Sequence, residues 1–438
     1  MNPIPTKNND AGDTDARNEV ARNAVVLVVD GLSAAMLGAY GNTWFETTNF
    51  NRLAARSILF DYAFANSTNL ENSYRGFWKS GFADRDQPSS QNLIDTIANL
   101  GATASLLTDE PLVGESELAG SFDHVIQVDH QPTNEIASSV EQTELANFFA
   151  QATSWLVDLE PGSFAWIHSR GLNGAWDAPH PMRSSLAGEG DPVPGNFHQP
   201  PSGLFNLQSD DPDDLLGYQQ ACAAQVILLD QFLGVLLDLM ETDQSTLVCL
   251  TSTRGYPLGE HGILGLSDSL PSNYNESVHV PMMISAPAIA EFSDFQSVRN
   301  GSLTQNDLMI SDCLLDWFAD DQTLAADRLR SAAFEVPQLC DQAVVIQSEH
   351  VEADQSLASI QTQAWKLIRK TGKSDTQTDP QFELYAKPDD RWEVNDVSRR
   401  CPQIVAELSK ILDNWLKAGG LGGRDSLGLE DSLWTRAN

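Results

Sequence analysis

The feature that most constrains this chain is a repeated pairing of short, continuously apolar runs with longer segments of helical period. The first run, Ala24 to Asp30 (AVVLVVD), ends in a carboxylate and Gly31, as a strand buried on both faces of a parallel sheet would. Similar runs recur at Thr103 to Leu107, Phe164 to Ile167, Thr246 to Leu250 and Met282 to Ile284. The clearest helical pattern is Tyr218 to Met240, where Cys222, Val226, Leu229, Leu233, Leu236 and Met240 form one apolar stripe. Asp211, Pro212, Asp213 and Asp214 precede it and supply a cap and first-turn acids that suit the helix dipole. Strands alternating with helices predict a doubly wound α/β sheet. Ligands of such sheets gather at the carboxyl ends of strands, which directs attention to Asp30 and to the loop after Leu250.

The length, 438 residues, suits one large domain with a smaller one. Residues 1–23 are polar and are expected to be a disordered N-terminal segment, followed by an α/β domain over 24–335. Within it, 179–214 is a Pro, Gly, Ser and Asp mixture without periodicity, read as a lid-like insert bordered by Trp176, Asp177, His180 and His198. The pattern then shifts to short strands at Ala343 to Ile346, Trp365 to Arg369 and Phe382 to Tyr385. An amphipathic helix from Pro402 to Lys417 completes a small α+β subdomain over 336–417. The glycine-rich tail, 418–438, is expected to be flexible.

Charge excludes one class of partner. Lys and Arg total 26 and Asp and Glu total 61, so the net charge is 26 − 61 = −35, a field that repels nucleic acid and anionic lipid. The longest apolar segment is interrupted by Gln225 and Asp230, which argues against a membrane span. The N-terminus has no apolar stretch of signal-peptide type, and the 5 cysteines show no CxxC spacing. A soluble cytoplasmic protein with reduced thiols is the expectation.

The order of segments resembles the sulfatase family of the alkaline-phosphatase-like superfamily. AVVLVVDGLSAAMLGAYGNTWFETTNFNRLAARSILFDYAFANS is similar to the family's first strand, its HLGCYG-type turn, its TPNLDRLA helix and the strand that leads to the nucleophile. ENSYRGFWKSG stands where the family carries CxPSR and a following TG. TLVCLTSTRGYPLGEHG resembles the family's TSDHGE with LGEHG, and NESVHVPMMISAP resembles its RVPLII segment. The resemblance runs from about Ala24 to Lys417. It implies a three-layer sandwich with a large, mostly parallel central sheet and a small C-terminal α+β subdomain.

The resemblance also implies a sulfuric ester hydrolase with calcium and a formylglycine nucleophile, and the residues depart from that chemistry. Asp30 matches the first metal carboxylate, but the paired aspartate falls on Gly31. The family's later ligand positions fall on Thr253 and Arg254 and its glutamate on Tyr256, so a permanent cation stands at a ligand position. The nucleophile position is Glu71, which cannot become formylglycine, while Arg75 matches the family. The sulfate-facing lysine and histidine are replaced at Thr108, Asp109, Glu110 and Pro111, Asn173 stands in place of a histidine, and Ser269 or a neighbour replaces a later lysine. His261 of LGEHG is a further ligand-binding candidate, weighed against a loop-shaping role. His168 reads as a core histidine.

Coulomb's law then predicts that no metal binds here and that Arg254 occupies the vacated place, paired with Asp30, Glu71 or both. The leading expectation is a sulfatase-family protein with a degenerate centre, a pseudoenzyme or a binder of a small anionic or sulfated ligand, needing no cofactor. One alternative is an active sulfuric or phosphoric ester hydrolase in which Ser67, Thr68 or Ser73 attacks and Arg75 and Arg254 clamp the anion. Another is an acidic partner-binding scaffold that uses the insert as its contact surface.

Overall fold

The computed structural model describes residues 22–80, 92–129, 135–240, 246–265, 270–286, 298–319, 343–348, 355–372 and 380–417. Ser269, most of the 1–23 segment and the 418–438 tail lie outside them.

Among the described residues ten strands precede the C-terminal subdomain: β1 (Asn23–Val29), β2 (Ile58–Phe64), β3 (Thr103–Thr108), β4 (His124–Gln127), β5 (Ser163–Ser169), β6 (Gly203–Leu204), β7 (Thr246–Thr251), β8 (Ile263–Leu264), β9 (Met282–Ser285) and β10 (Val298–Gln305). Eight of them form one sheet in the order β10-β2-β9-β7-β1-β5-β3-β4. All its pairings are parallel except the two made by β9, which runs antiparallel between β2 and β7. The run Met282 to Ile284 is thus a strand, but of opposite sense to its neighbours.

Period-two alternation divides the interior. Val25, Leu27 and Val29 of β1 enter one apolar cluster, and Ala24, Val26 and Val28 enter the other. The first is covered by the helices Glu144–Val157 and Pro212–Met240, the second by Leu93–Asn99 and Asn306–Phe318. Helices on both faces explain why β1 carries no exposed residue and reads as an unbroken apolar run.

The helix predicted over Tyr218 to Met240 begins earlier, at Pro212, with the Asp213 amide donating to Asp211 Oδ1 at 3.0 Å. Among the described residues it alone has the length and apolarity to cross a membrane, yet 67% of its most apolar window is buried inside the protein. Its polar interruptions have structural roles. Asp230 accepts the Asn49 and Phe50 amides at 2.9 and 2.8 Å and so caps the helix Thr48–Ala54, and Gln225 bridges the Ala178 amide and the Ala175 carbonyl.

The 179–214 stretch folds over the same face. Buried Arg183 donates to the carbonyls of Trp176, Ala178 and Gly195, and the two-residue strand β6 pairs with β8. The C-terminal part contains β11 (Val344–Ser348), β12 (Gln355–Gln361), β13 (Trp365–Gly372) and β14 (Gln381–Ala386), an antiparallel sheet in chain order. Leu408, Ile411 and Leu412 of the helix Pro402–Lys417 pack on Ile360, Leu367 and Leu384. The two sheets meet where Val344 and Ile346 join Phe64, Val278 and Leu303.

Candidate functional site

The parallel register brings the ends of β7, β1, β5 and β3 level, with Val28 opposite both Thr251 and His168. The residues just beyond those ends converge. Asp30 follows β1, Thr253 and Arg254 follow β7, Arg170 and Asn173 follow β5, and Asp109 and Glu110 follow β3. Gly31 makes the turn after β1 with φ of 83°.

Asp30 is buried, and every lone-pair direction of its carboxylate is taken. Arg254 binds it with both prongs, Nε to Oδ1 and Nη2 to Oδ2, each at 3.1 Å. The Thr253 hydroxyl donates to Oδ1 and the Asn173 amide to Oδ2. A carboxylate offers about four acceptor positions, so four donors saturate it. Arg254 places its remaining prong, Nη1, on the Thr68 carbonyl at 2.7 Å, which ties the segment before the helix Leu70–Arg75 to β1 and β7. Burial by itself would raise the Asp30 pKa, but the charge and hydrogen bonds of Arg254, with the Thr253 bond, hold it below the usual value. Asp30 is therefore ionised and neutralised by a guanidinium.

Around this pair lie groups of altered acidity. Burial, reinforced by Arg254 and Arg170 and opposed by Asp30, lowers His168 to about 4, so it is neutral. Its Nδ1 sits 2.6 Å from the Tyr74 hydroxyl, and Nε2 has no partner among the described residues. Full burial agrees with the reading of His168 as a core histidine, and the parallel register adds a closeness to Asp30 that the sequence pattern does not show. Burial pushes Asp109 up to about 7, although it accepts the Arg170 amide at 2.7 Å. Arg170, which no sequence motif singles out, also reaches Glu110 at 3.4 Å.

The other candidates stand apart. Glu71 does not meet Arg254. It pairs with Arg75 one helical turn on, at 2.7 Å, with side chains 70% and 60% exposed, because that face of the helix Leu70–Arg75 points to solvent. The expected alternative pairing of Arg254 with Glu71 is replaced by the Asp30 pair alone. The three hydroxyls weighed as nucleophiles are buried and engaged: Ser67 accepts the Asn69 amide, Thr68 donates to Ser348, and Ser73 donates to the Ser67 and Asn69 carbonyls. His261 contacts Glu276 at 2.6 Å, the Glu393 carbonyl and the ring of Tyr274, and none of the Asp30 cluster. Tyr256 donates to the Pro201 carbonyl.

This donor set does not fit a calcium ion. Such an ion takes six to eight oxygen ligands, several of them anionic. Here the Asp30 carboxylate is saturated, Asp109 and Glu110 are engaged by Arg170, Gly31 has no side chain, and Arg254 offers only donors. A side chain at Gly31 would bring its Cβ within 2.9 Å of Leu172 Cβ. Among the described residues no group of three or more His, Cys, Asp or Glu side chains is placed to hold a metal.

The sulfatase family profile matches residues 22–311. The chain belongs to the sulfatase family. Solved structures resembling this family member include BT4656 in complex with its substrate D-glucosamine-2-N,6-O-disulfate (15% identity, 93% of this chain and 99% of that chain, TM-score 0.64). The 2-O GAG sulfatase BT1596 is 16% identical over 91% of this chain and 93% of its own, with a TM-score of 0.65. Phosphonate monoester hydrolase of Agrobacterium radiobacter is 14% identical over 91% and 95%, also at 0.65. At such identities the likeness establishes the alkaline-phosphatase-like fold alone. Among curated proteins no match was found.

Proposed function

We propose that this sulfatase-family chain no longer performs metal-dependent ester hydrolysis, its ancestral centre having become a structural ion pair. The observation that carries the reading is the saturation of Asp30 by Arg254, Thr253 and Asn173. A guanidinium carries a permanent positive charge and fills the place where an ion would neutralise the carboxylate. It cannot polarise a water or present an open coordination position, the two services a catalytic metal supplies. Glu71 at the nucleophile position is solvent-exposed and tied to Arg75, away from the pair. The resembling BT4656 is described with a disulfated sugar as substrate. Arg254 directs a bond from each of its three nitrogens to Asp30 or to the Thr68 carbonyl, so this cation is already committed and is a poor anchor for a sulfated or other anionic ligand.

The test is a calorimetric titration of the full chain with calcium and with magnesium, beside turnover assays on 4-nitrophenyl sulfate and 4-nitrophenyl phosphate with each metal present. The expected result is no saturable metal binding and no product above a protein-free control. Stoichiometric calcium uptake, or sulfate release that Asp30→Asn abolishes, would overturn the reading. The hydroxyl-nucleophile alternative is less favoured, since buried Ser67 is engaged by the Asn69 amide and buried Ser73 by main-chain carbonyls.

A further inference from the structure

A cavity of about 400 Å³ opens where the large sheet meets the C-terminal subdomain, and it shares no residue with the Asp30 cluster. One wall is aromatic. The ring of His279 lies nearly parallel to Tyr62 (25°, centroids 6.3 Å apart) and Phe64 (30°, 5.3 Å), with Tyr40 edge-on at 6.2 Å. Burial, reinforced by the nearby Arg391, Lys366 and Lys387 and opposed by a bond to the Asp61 carbonyl, lowers His279 to about 4, so it contributes a neutral ring. Tyr62 is 41% exposed and presents its ring to whatever enters.

The opposite wall carries uncompensated positive charge. Arg299 is neutralised by Asp61, the one carboxylate lining the cavity. Lys387 is buried and 2.8 Å from Glu393 Oε1, but Lys366 claims the same oxygen at 2.8 Å, so two ammonium groups share one carboxylate. Arg391 makes no ion pair among the described residues; it reaches the Tyr40 carbonyl at 3.4 Å and lies 5.1 Å from the Trp392 ring. The acids nearby are spent elsewhere: Glu276 holds His261, and Asp390 accepts the Val394 and Asn395 amides. Gln361 lines the cavity, is buried, and leaves Oε1 without a partner among the described residues. The chain's net charge of −35 does not cancel this local excess, because exposed charges are screened beyond about 8 Å at physiological salt.

We propose that this junction cavity binds a small aromatic carboxylate, its ring against the Tyr62–His279–Phe64 wall and its carboxylate on Arg391 and Lys387. The planar fork of an arginine matches a carboxylate with two parallel hydrogen bonds, and arginine also stacks on flat rings. A cavity of this size with a few convergent polar groups is the usual form of a small-molecule site. The assignment holds whether or not the Asp30 cluster retains chemistry.

The probe is 2-naphthoate, titrated calorimetrically into the full chain, with 2-naphthamide as its neutral counterpart. Expected is saturable one-to-one binding of the naphthoate, at least about ten-fold tighter than the amide, a factor in keeping with one charge-assisted contact. Arg391→Met should weaken naphthoate about ten-fold without shifting the melting temperature, Arg391→Lys should restore most of the loss, and Tyr62→Ala should weaken both ligands alike. Equal affinity for naphthoate and naphthamide, no saturation at millimolar naphthoate, or full affinity in a folded Arg391→Met variant would each overturn the assignment.

Discussion

Replacing Arg254 by methionine isolates the contact on which the site's architecture rests. The Arg254 and Asp30 side chains are only 11% and 3% exposed, so the pair belongs with buried ion pairs rather than with surface ones worth about 0–1 kcal/mol. At a charge separation near 4 Å and an effective dielectric of about 20, the lost attraction is on the order of 4 kcal/mol, within the roughly 3–5 kcal/mol that breaking a buried pair costs. Arg254→Met should therefore lower the melting temperature by roughly 8–16 °C, taking about 2–4 °C per kcal/mol for domains of this order of size. The double variant Asp30→Asn with Arg254→Met should recover most of that, because no uncompensated charge is left buried and the substituted amide's carbonyl oxygen can still accept the Thr253 hydroxyl. Differential scanning calorimetry on the wild type, both single variants and the double closes the cycle. A drop below about 2 °C for Arg254→Met, or additive effects in the double variant, would refute the reasoning, since two uncoupled side chains would then be all the site contains.

Two further perturbations follow from groups described above. Asp109 is held neutral up to about 7 against an ordinary value of 3.8. The unfolded chain gives up this proton first, so stability from the neutral form is full below about pH 4 and is lost as pH rises toward 7. Asp109→Asn should thus gain melting temperature over the wild type at about pH 8 relative to about pH 4, and a difference that is flat or of opposite sign across that range would count against the buried, protonated carboxyl. Asp230→Ala strips the cap from the helix Thr48–Ala54 and should cost about 1–3 kcal/mol, with Asp230→Asn costing less. Denaturation midpoints unchanged in both variants would show that the capping bonds do not matter to stability.

The central sheet is legible in the sequence because β1, β5 and β7 are buried along their whole length, β3 is buried after Thr103, and each carries an apolar run at its centre. Strand β10 (VRNGSLTQ) is not, because it holds an edge of the sheet, with a register shift between Asn300 and Leu303 and polar residues throughout. Strand β12 (QSLASIQ) is hidden by its polar residues, of which Ser359 and Gln361 are buried. The Asp30–Arg254 pair can be foreseen, because charge alone demands a partner for a cation at a strand end. The rest of the cluster cannot. Arg170 joins Asp109 and Glu110 only because β3 and β5 are sheet neighbours, an adjacency hidden in a gap of some sixty residues. Glu71 enters the candidates from its place in a motif, and its outward direction is set by the helix face, which a motif does not specify.

If the proposed loss of metal-dependent hydrolysis holds, Gly31 bears on whether that chemistry could return. Its positive φ and the 2.9 Å approach of Leu172 leave no room for the second acid of the family's pair unless the loop after β5 also gives way. Changing Arg254 to an acid by itself would set two negative side chains against each other in a buried place, a step downhill in stability with no gain until Gly31 and Leu172 had changed as well. On the proposed reading, then, the order in which the substitutions would have to arrive works against reversion, as a ratchet tooth bars the wheel.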